Sequence, residues 1–132
     1  MIFVDTSFWV AFRHRDDDRH AESGRLFKAH GSRGLVTTNL VIGETWTYLR
    51  RRGGHRSAVG FLELTESTPV LGREHVGGEL EAEALTWLRR HDERAYSFVD
   101  ATSFAFMRRH GIEEAFAFDE DFSAAGFIEL RA

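Results

Sequence analysis

The chain of 132 residues has no cysteine. Disulfides, thiolate-ligated zinc, iron–sulfur clusters and thiol catalysis are therefore excluded, and oxidising and reducing compartments are both chemically open to it. Pro69 is the only proline, and no proline-rich or low-complexity linker and no internal repeat divides the sequence. No apolar run approaches the ~18 residues of a membrane span. The opening Met1-Ile2-Phe3-Val4-Asp5 lacks the basic leader of a signal peptide. A soluble protein of the cytoplasm is expected. Positive charge is also in short supply: 17 basic against 21 acidic residues give a net charge of −4. That argues against a broad, non-specific nucleic-acid binder, which is usually basic. It does not exclude an enzyme that concentrates acids around a metal ion and cuts nucleic acid.

What is present suits one globular domain spanning residues 1–132, with 42% apolar and 29% charged residues. Short apolar runs predict strands at Ile2–Val4, Gly34–Thr37, Pro69–Leu71, Ala115–Phe118 and Phe127–Leu130. Helical patterns fall between them, at Ser7–Arg13, Asp18–His30, Asn39–Arg52, Arg56–Glu66, Glu79–His91 and Phe98–His110. Glycines follow two of these helices, Gly53-Gly54 and Gly111. Strands alternating with helices predict an α/β fold with a mostly parallel sheet and helices on both faces.

Four of the acids stand apart from the charged surface. Asp5 ends the run Ile2-Phe3-Val4, Glu44 lies in Leu40-Val41-Ile42-Gly43-Glu44-Thr45-Trp46, Asp100 follows Phe98-Val99, and Asp119 ends Ala115-Phe116-Ala117-Phe118. None of these stretches holds a lysine or arginine. A buried carboxylate without a partner costs several kcal/mol or takes up a proton. In a parallel α/β sheet, strand C-termini and helix N-termini share the edge where ligands bind, and all four acids can reach it. Carboxylates ~6 Å apart repel by roughly 3 kcal/mol per pair at an effective dielectric near 20. Protonation or a divalent cation must offset that, and a set of oxygen ligands selects Mg²⁺ or Mn²⁺. Structural roles are open to the same acids: Asp5 as a helix cap, Ser97-Phe98-Val99-Asp100 as a capping box, and Asp119 in a turn with Glu120 and Asp121.

Four segments in order resemble the PIN domain, and within it the VapC-type ribonuclease toxins of bacterial VapBC toxin–antitoxin pairs. They are Ile2-Phe3-Val4-Asp5-Thr6-Ser7, Asn39-Leu40-Val41-Ile42-Gly43-Glu44-Thr45, Phe98-Val99-Asp100-Ala101-Thr102-Ser103-Phe104, and Ala117-Phe118-Asp119-Glu120-Asp121-Phe122 with Gly126-Phe127. The likeness covers nearly the whole chain. It implies a three-layer α/β/α fold with a five-stranded sheet of order 3-2-1-4-5. It implies Mg²⁺- or Mn²⁺-dependent endonucleolytic cleavage of RNA by in-line attack of a metal-activated water, leaving a 5′-phosphate and a 3′-hydroxyl. Asp5, Glu44, Asp100 and Asp119 are the implied catalytic and metal-holding acids. The resemblance also implies Asp121 as a fifth acid acting through water, and Ser7 and Ser103 as residues that orient a water. The resemblance further implies a homodimer and a VapB-like antitoxin that lays its C-terminal segment in the active-site groove. Two other functions stay open. An Asp-nucleophile phosphotransferase would want a second acid where Asp5-Thr6-Ser7 has serine, and a catalytically silent module would keep the acidic pocket only to bind a partner.

Other motifs have plainer readings. The runs Arg50-Arg51-Arg52, Arg89-Arg90-His91 and Arg108-Arg109-His110 fall at predicted helix C-termini, where cations complement the helix dipole. The first run keeps the best chance of touching RNA. Asp16-Asp17-Asp18 precedes a predicted helix and is expected to cap it. The seven histidines show no metal-ligand spacing, and Trp9, Trp46 and Trp87 read as core or interface residues.

Overall fold

The computed structural model describes residues 1–132. Five strands, β1 (Ile2–Val4), β2 (Leu35–Thr38), β3 (Leu71–Glu74), β4 (Glu114–Phe116) and β5 (Ile128–Glu129), form one sheet of order β3-β2-β1-β4-β5. All four pairings are parallel. Seven α-helices surround the sheet: α1 (Thr6–Arg13), α2 (His20–His30), α3 (Asn39–Gly53), α4 (His55–Ser67), α5 (Gly78–Arg90), α6 (Phe98–His110) and α7 (Asp121–Ala124). Successive residues of a strand point to opposite faces, yet every residue of β1 and β2 is buried. Helices therefore cover both faces, and the three-layer α/β/α arrangement with order 3-2-1-4-5 is as expected.

Aromatic packing holds the layers together. Phe3 of β1 contacts Phe106 of α6 and Phe122 of α7, with ring centroids 5.9 and 6.0 Å away. On α1, Phe8 stacks on Phe116 at 4.4 Å and Trp9 meets Phe61 of α4 edge-on at 5.5 Å. Trp9 is a core residue, 1% exposed. The three arginine runs do occupy the last turns of α3, α5 and α6, and Gly111 takes the left-handed conformation after α6 (φ 66°).

Three differences from the predicted elements have local causes. β3 starts at Leu71 rather than Pro69, because Pro69 and Val70 form an exposed turn closed by Leu71 N–H donating to Thr68 O. The rest of this edge strand is Gly72-Arg73-Glu74, too polar to register as an apolar run. β4 ends at Phe116 rather than Phe118, because Phe118 N–H leaves the ladder and donates to Ser7 Oγ at 3.0 Å. The acidic triplet does not cap α2. The N-cap is Arg19, without a side-chain bond, and Asp17 instead accepts Arg19 N–H at 2.8 Å in a turn outside the helix. The short helix α7 was not predicted, and its N-cap Glu120 adopts φ 68°.

The order of strands reverses between β1 and β4, which are sequence-distant neighbours at the centre of the sheet. Their C-terminal ends open the crevice that such sheets use for ligands.

Candidate functional site

Asp5 is the residue that follows β1. Its own N–H donates to Phe116 O at 3.0 Å, so β4 pins it in place. It is also the N-cap of α1: Oδ2 accepts Ser7 N–H at 3.1 Å and Ser7 Oγ–H at 2.7 Å. Asp100 sits at the third position of α6 in a complete capping box. Its Oδ2 accepts Ser97 N–H at 2.9 Å, and Ser97 Oγ accepts Asp100 N–H at 2.9 Å. Asp119 follows β4 by three residues, and its Oδ1 accepts Asp121 N–H at 3.1 Å. The structural and chemical readings of these acids are thus compatible. Each carboxylate spends one oxygen on a cap or turn and keeps the other free of any protein donor.

One carboxylate oxygen each from Asp5, Asp100 and Asp119 lie within 4.8 Å of one another. Asp5 is 2% and Asp100 7% exposed, while Asp119 stands at the exposed rim. None of the seven ion pairs in the molecule involves any of the three. The crowding shows in their proton affinities. Burial, then the charge of Asp119 and finally that of Asp100, push the Asp5 carboxyl well above its ordinary range, against the pull of the Ser7 hydrogen bonds. Lost hydration and the Asp100 charge raise Asp119 to about 6. Burial raises Asp100 too, helped by Asp121 and Glu44 and opposed by the Ser97 bonds. Three carboxylates with no internal cation and only oxygen donors are a set that could hold a hard divalent metal.

The acids line a cavity of about 630 Å³. Glu44, half-buried in the second turn of α3, faces the same cavity but stands outside the group of three. No protein group donates to its carboxylate. Ser7 and Asp121 line the cavity too. Asp121, however, already has a cation: Arg94 reaches its Oδ1 at 2.9 Å. Ser103 does not line the cavity. It is fully buried and its hydroxyl donates to Val99 O at 2.9 Å, back along its own helix. Asp17 and Asp18 do line it. The triplet was visible in the sequence, but the turn that brings it to the rim was not.

A PIN-domain profile matches residues 2–128. Two proteins of Mycobacterium tuberculosis, from strains CDC 1551 / Oshkosh and ATCC 25618 / H37Rv, are each 57% identical over 131 residues, 99% of this chain and 98% of theirs. Both carry the name 23S rRNA-specific endonuclease VapC20. The crystal structure of Mycobacterium tuberculosis VapC20, described as a sarcin-ricin loop cleaving toxin, superposes with a TM-score of 0.94 at 55% identity and full coverage of both chains.

Proposed function

The chain belongs to the PIN-domain family, and on that premise we propose that residues 1–132 form one metal-dependent endoribonuclease domain, the toxin of a type II toxin–antitoxin pair. The observation that carries this reading is the cluster of Asp5, Asp100 and Asp119, three carboxylates within 4.8 Å without a cation of their own. The names of the relatives extend it to a substrate: 23S rRNA at the sarcin-ricin loop.

Asp5, Asp100 and Asp119 would hold Mg²⁺ or Mn²⁺. A bound ion of this kind supplies positive charge to a phosphoryl oxygen and to the oxygen that departs. Ser7 sets the orientation of two of the ligands at once. Its hydroxyl fixes Asp5 Oδ2 and, by accepting Phe118 N–H, ties the segment carrying Asp119 to the end of β1. Glu44 faces the cavity with no protein partner, so it is the group placed to take the proton of an attacking water. The water oxygen bonds to phosphorus, the P–O3′ bond breaks in line, and the departing oxygen takes a proton from solvent, so the products carry a 5′-phosphate and a 3′-hydroxyl. Asp121 acts from the rim, through water. A homodimer acting in the cytoplasm, silenced by a VapB-like antitoxin, completes the proposal.

The test is cleavage of purified 23S rRNA with mapping of the new ends. Cutting should require Mg²⁺ or Mn²⁺, stop in chelator and be absent in Asp5→Asn. Intact RNA with either metal, at protein concentrations that saturate binding, would overturn the reading in favour of a silent binding module.

A further inference from the structure

A second concave surface adjoins the acid pocket along α3. The helix buries Val41, Thr45 and Leu49. Gly43, Thr47, Tyr48 and Arg51 recur at three- and four-residue spacing on the exposed side of the helix, with half-buried Leu40 and Glu44 at its edge. With Arg52 and Val99 they line a groove of about 670 Å³ whose floor is apolar, through Leu40, Tyr48 and Val99, and whose end carries Arg51 and Arg52. Glu44 and Tyr48 line both this groove and the acid cavity, so the two are continuous.

We propose that the α3 groove seats the RNA strand that flanks the scissile phosphate, with Arg51 and Arg52 on phosphates and Tyr48 as a stacking surface. This deepens the nuclease reading and rests on it. Three observations carry it. The first concerns charge. The acid cavity is lined by six aspartates besides Glu44, an approach that repels a polyanion, and only three cations line either cavity: Arg19, Arg51 and Arg52. Arg19 is held by Glu22 at 2.6 Å and lies over the Phe118 ring. Arg51 and Arg52 pair with no acid. The second is pre-organisation. Arg52 lies 5.3 Å from the Tyr48 ring centroid and donates to its hydroxyl at 2.9 Å. This holds the guanidinium over the ring of a tyrosine that stays 37% exposed, and arginine and aromatic rings are the groups that stack on single-stranded RNA. The third is Gly43. A Cβ there would meet nothing within 4 Å, so packing within the chain does not demand a glycine. Yet glycine is a poor helix former, and here it deepens the floor of the groove. Glu44 to Arg51 spans about 10 Å of helix, the reach of about three stacked nucleotides.

The dipole role of the arginine run is compatible with this, since both arginines lie in the last turn of α3. A second copy of the chain is the competing occupant, since its own acids could also meet these guanidiniums, and the sedimentation arm of the experiment decides between the two; continuity with the acid cavity favours RNA.

The experiment measures binding of a fluorescein-labelled RNA hairpin carrying the sarcin-ricin loop, by anisotropy, in an Asp100→Asn background that does not cut. Adding Arg51→Ala and Arg52→Ala together should weaken binding at least tenfold at 0.1 M salt. It should also flatten the log K against log salt slope by about 1.4, two phosphate contacts' worth. Gly43→Ala should raise Tm and weaken binding several-fold, opposite signs that a purely structural glycine would not give. Unchanged affinity and slope in the double variant, while the parent binds and wild type cuts, overturn the groove alone. So does a double variant that binds RNA normally but shifts from dimer to monomer in sedimentation. A wild type that neither binds nor cuts the hairpin overturns the nuclease reading, and the groove with it.

Discussion

Asp5, just past strand β1, and Glu129, in strand β5, are both buried carboxylates, at 2% and 9% exposure. They have opposite surroundings. Glu129 of the edge strand β5 accepts Glu120 N–H at 3.2 Å, Ser123 N–H at 2.9 Å and the Arg131 guanidinium at 3.0 Å. Asp5, at the end of the central strand, receives only the two groups of Ser7 and faces two other aspartates. The fold therefore can supply a buried carboxylate with a cation and backbone donors, and at the edge it does. At the switch point it supplies negative neighbours instead. The first arrangement fastens β5 to the start of α7. The second leaves a charge deficit that only protons or an external cation can fill.

The sharpest way to break the comparison is to neutralise both acids in turn. Asp5→Asn keeps an N-cap acceptor and removes a charge, so it should lower RNA cleavage at least a thousandfold while raising Tm in chelator. Glu129→Ala removes the acceptor of three donors, two of them backbone N–H groups that are left unpaired, while Arg131 keeps Ala117 O and Leu130 O; the loss should be about 2–3 kcal/mol. Cleavage per folded molecule should then stay within a few-fold. Thermal melts with and without chelator, beside a gel cleavage assay, give all four values. If Asp5→Asn melts lower than wild type in chelator, the crowding argument fails.

The two sites also differ in pH response. A carboxyl whose folded pKa is raised binds its proton more tightly in the folded than in the unfolded chain, so folding is favoured while it is protonated. The stabilisation is complete below the ordinary carboxylate pKa and is lost as pH rises through the folded value. For Asp119 that window runs from 3.8 to about 6, with Asp5 and Asp100 shifted the same way. In chelator, the acid cluster should make Tm fall as pH climbs across this window. Saturating Mg²⁺ should abolish the fall, because the ion replaces the protons. A metal-free Tm that rises steadily through the window would show that paired carboxylates elsewhere dominate.

The half of this comparison that concerns Asp5 was legible in the sequence. An acid that closes an apolar run without a lysine or arginine beside it marks Asp5, Asp100 and Asp119 equally well, and strand-then-helix order placed them on one edge. Glu129 was not legible, because its backbone donors Glu120 and Ser123 reach it through α7, a four-residue helix with too little sequence to show a period. The arrival of Asp17 and Asp18 at the cavity depends on a turn set by backbone bonds. Ser103 was implied by the family resemblance, but it is fully buried and its hydroxyl donates back to Val99 O instead of reaching the cavity. The groove on α3 was not read from the sequence, where only Glu44 and the arginine run of this helix stood out; which of its sides is covered is decided by how α4 and α6 pack.

Ser7 is where the two halves of the cluster join, so Ser7→Ala should have an intermediate effect. The variant strips Asp5 of one donor and leaves Phe118 N–H without its acceptor, a loss of about 1–2 kcal/mol. Cleavage should drop about tenfold through misplacement of Asp119, the rate equivalent of 1.4 kcal/mol. Ser7→Thr, which keeps the hydroxyl, should recover most of it. If alanine at this position leaves the rate unchanged, Asp5 and Asp119 are positioned independently.

The smallest expected effect tests the boundary between the two kinds of site. Asp121 lines the acid cavity but has an arginine, so it shares features with both Asp5 and Glu129. The pair is exposed, and exposed pairs contribute little to folding, so Arg94→Ala should move Tm by no more than about 1–2 °C. Its effect should fall on the metal. Without Arg94, Asp121 adds an uncompensated negative charge at the rim, beside an Asp100 whose proton affinity Asp121 already raises. Mn²⁺ titrated by calorimetry, with variant and wild type at the same pH, should then bind a few-fold more tightly to the variant. Weaker binding would reverse the assignment. It would mean that Arg94 holds Asp121 in a pose the ion needs, and that at this one position the chain uses a cation to build the acidic site.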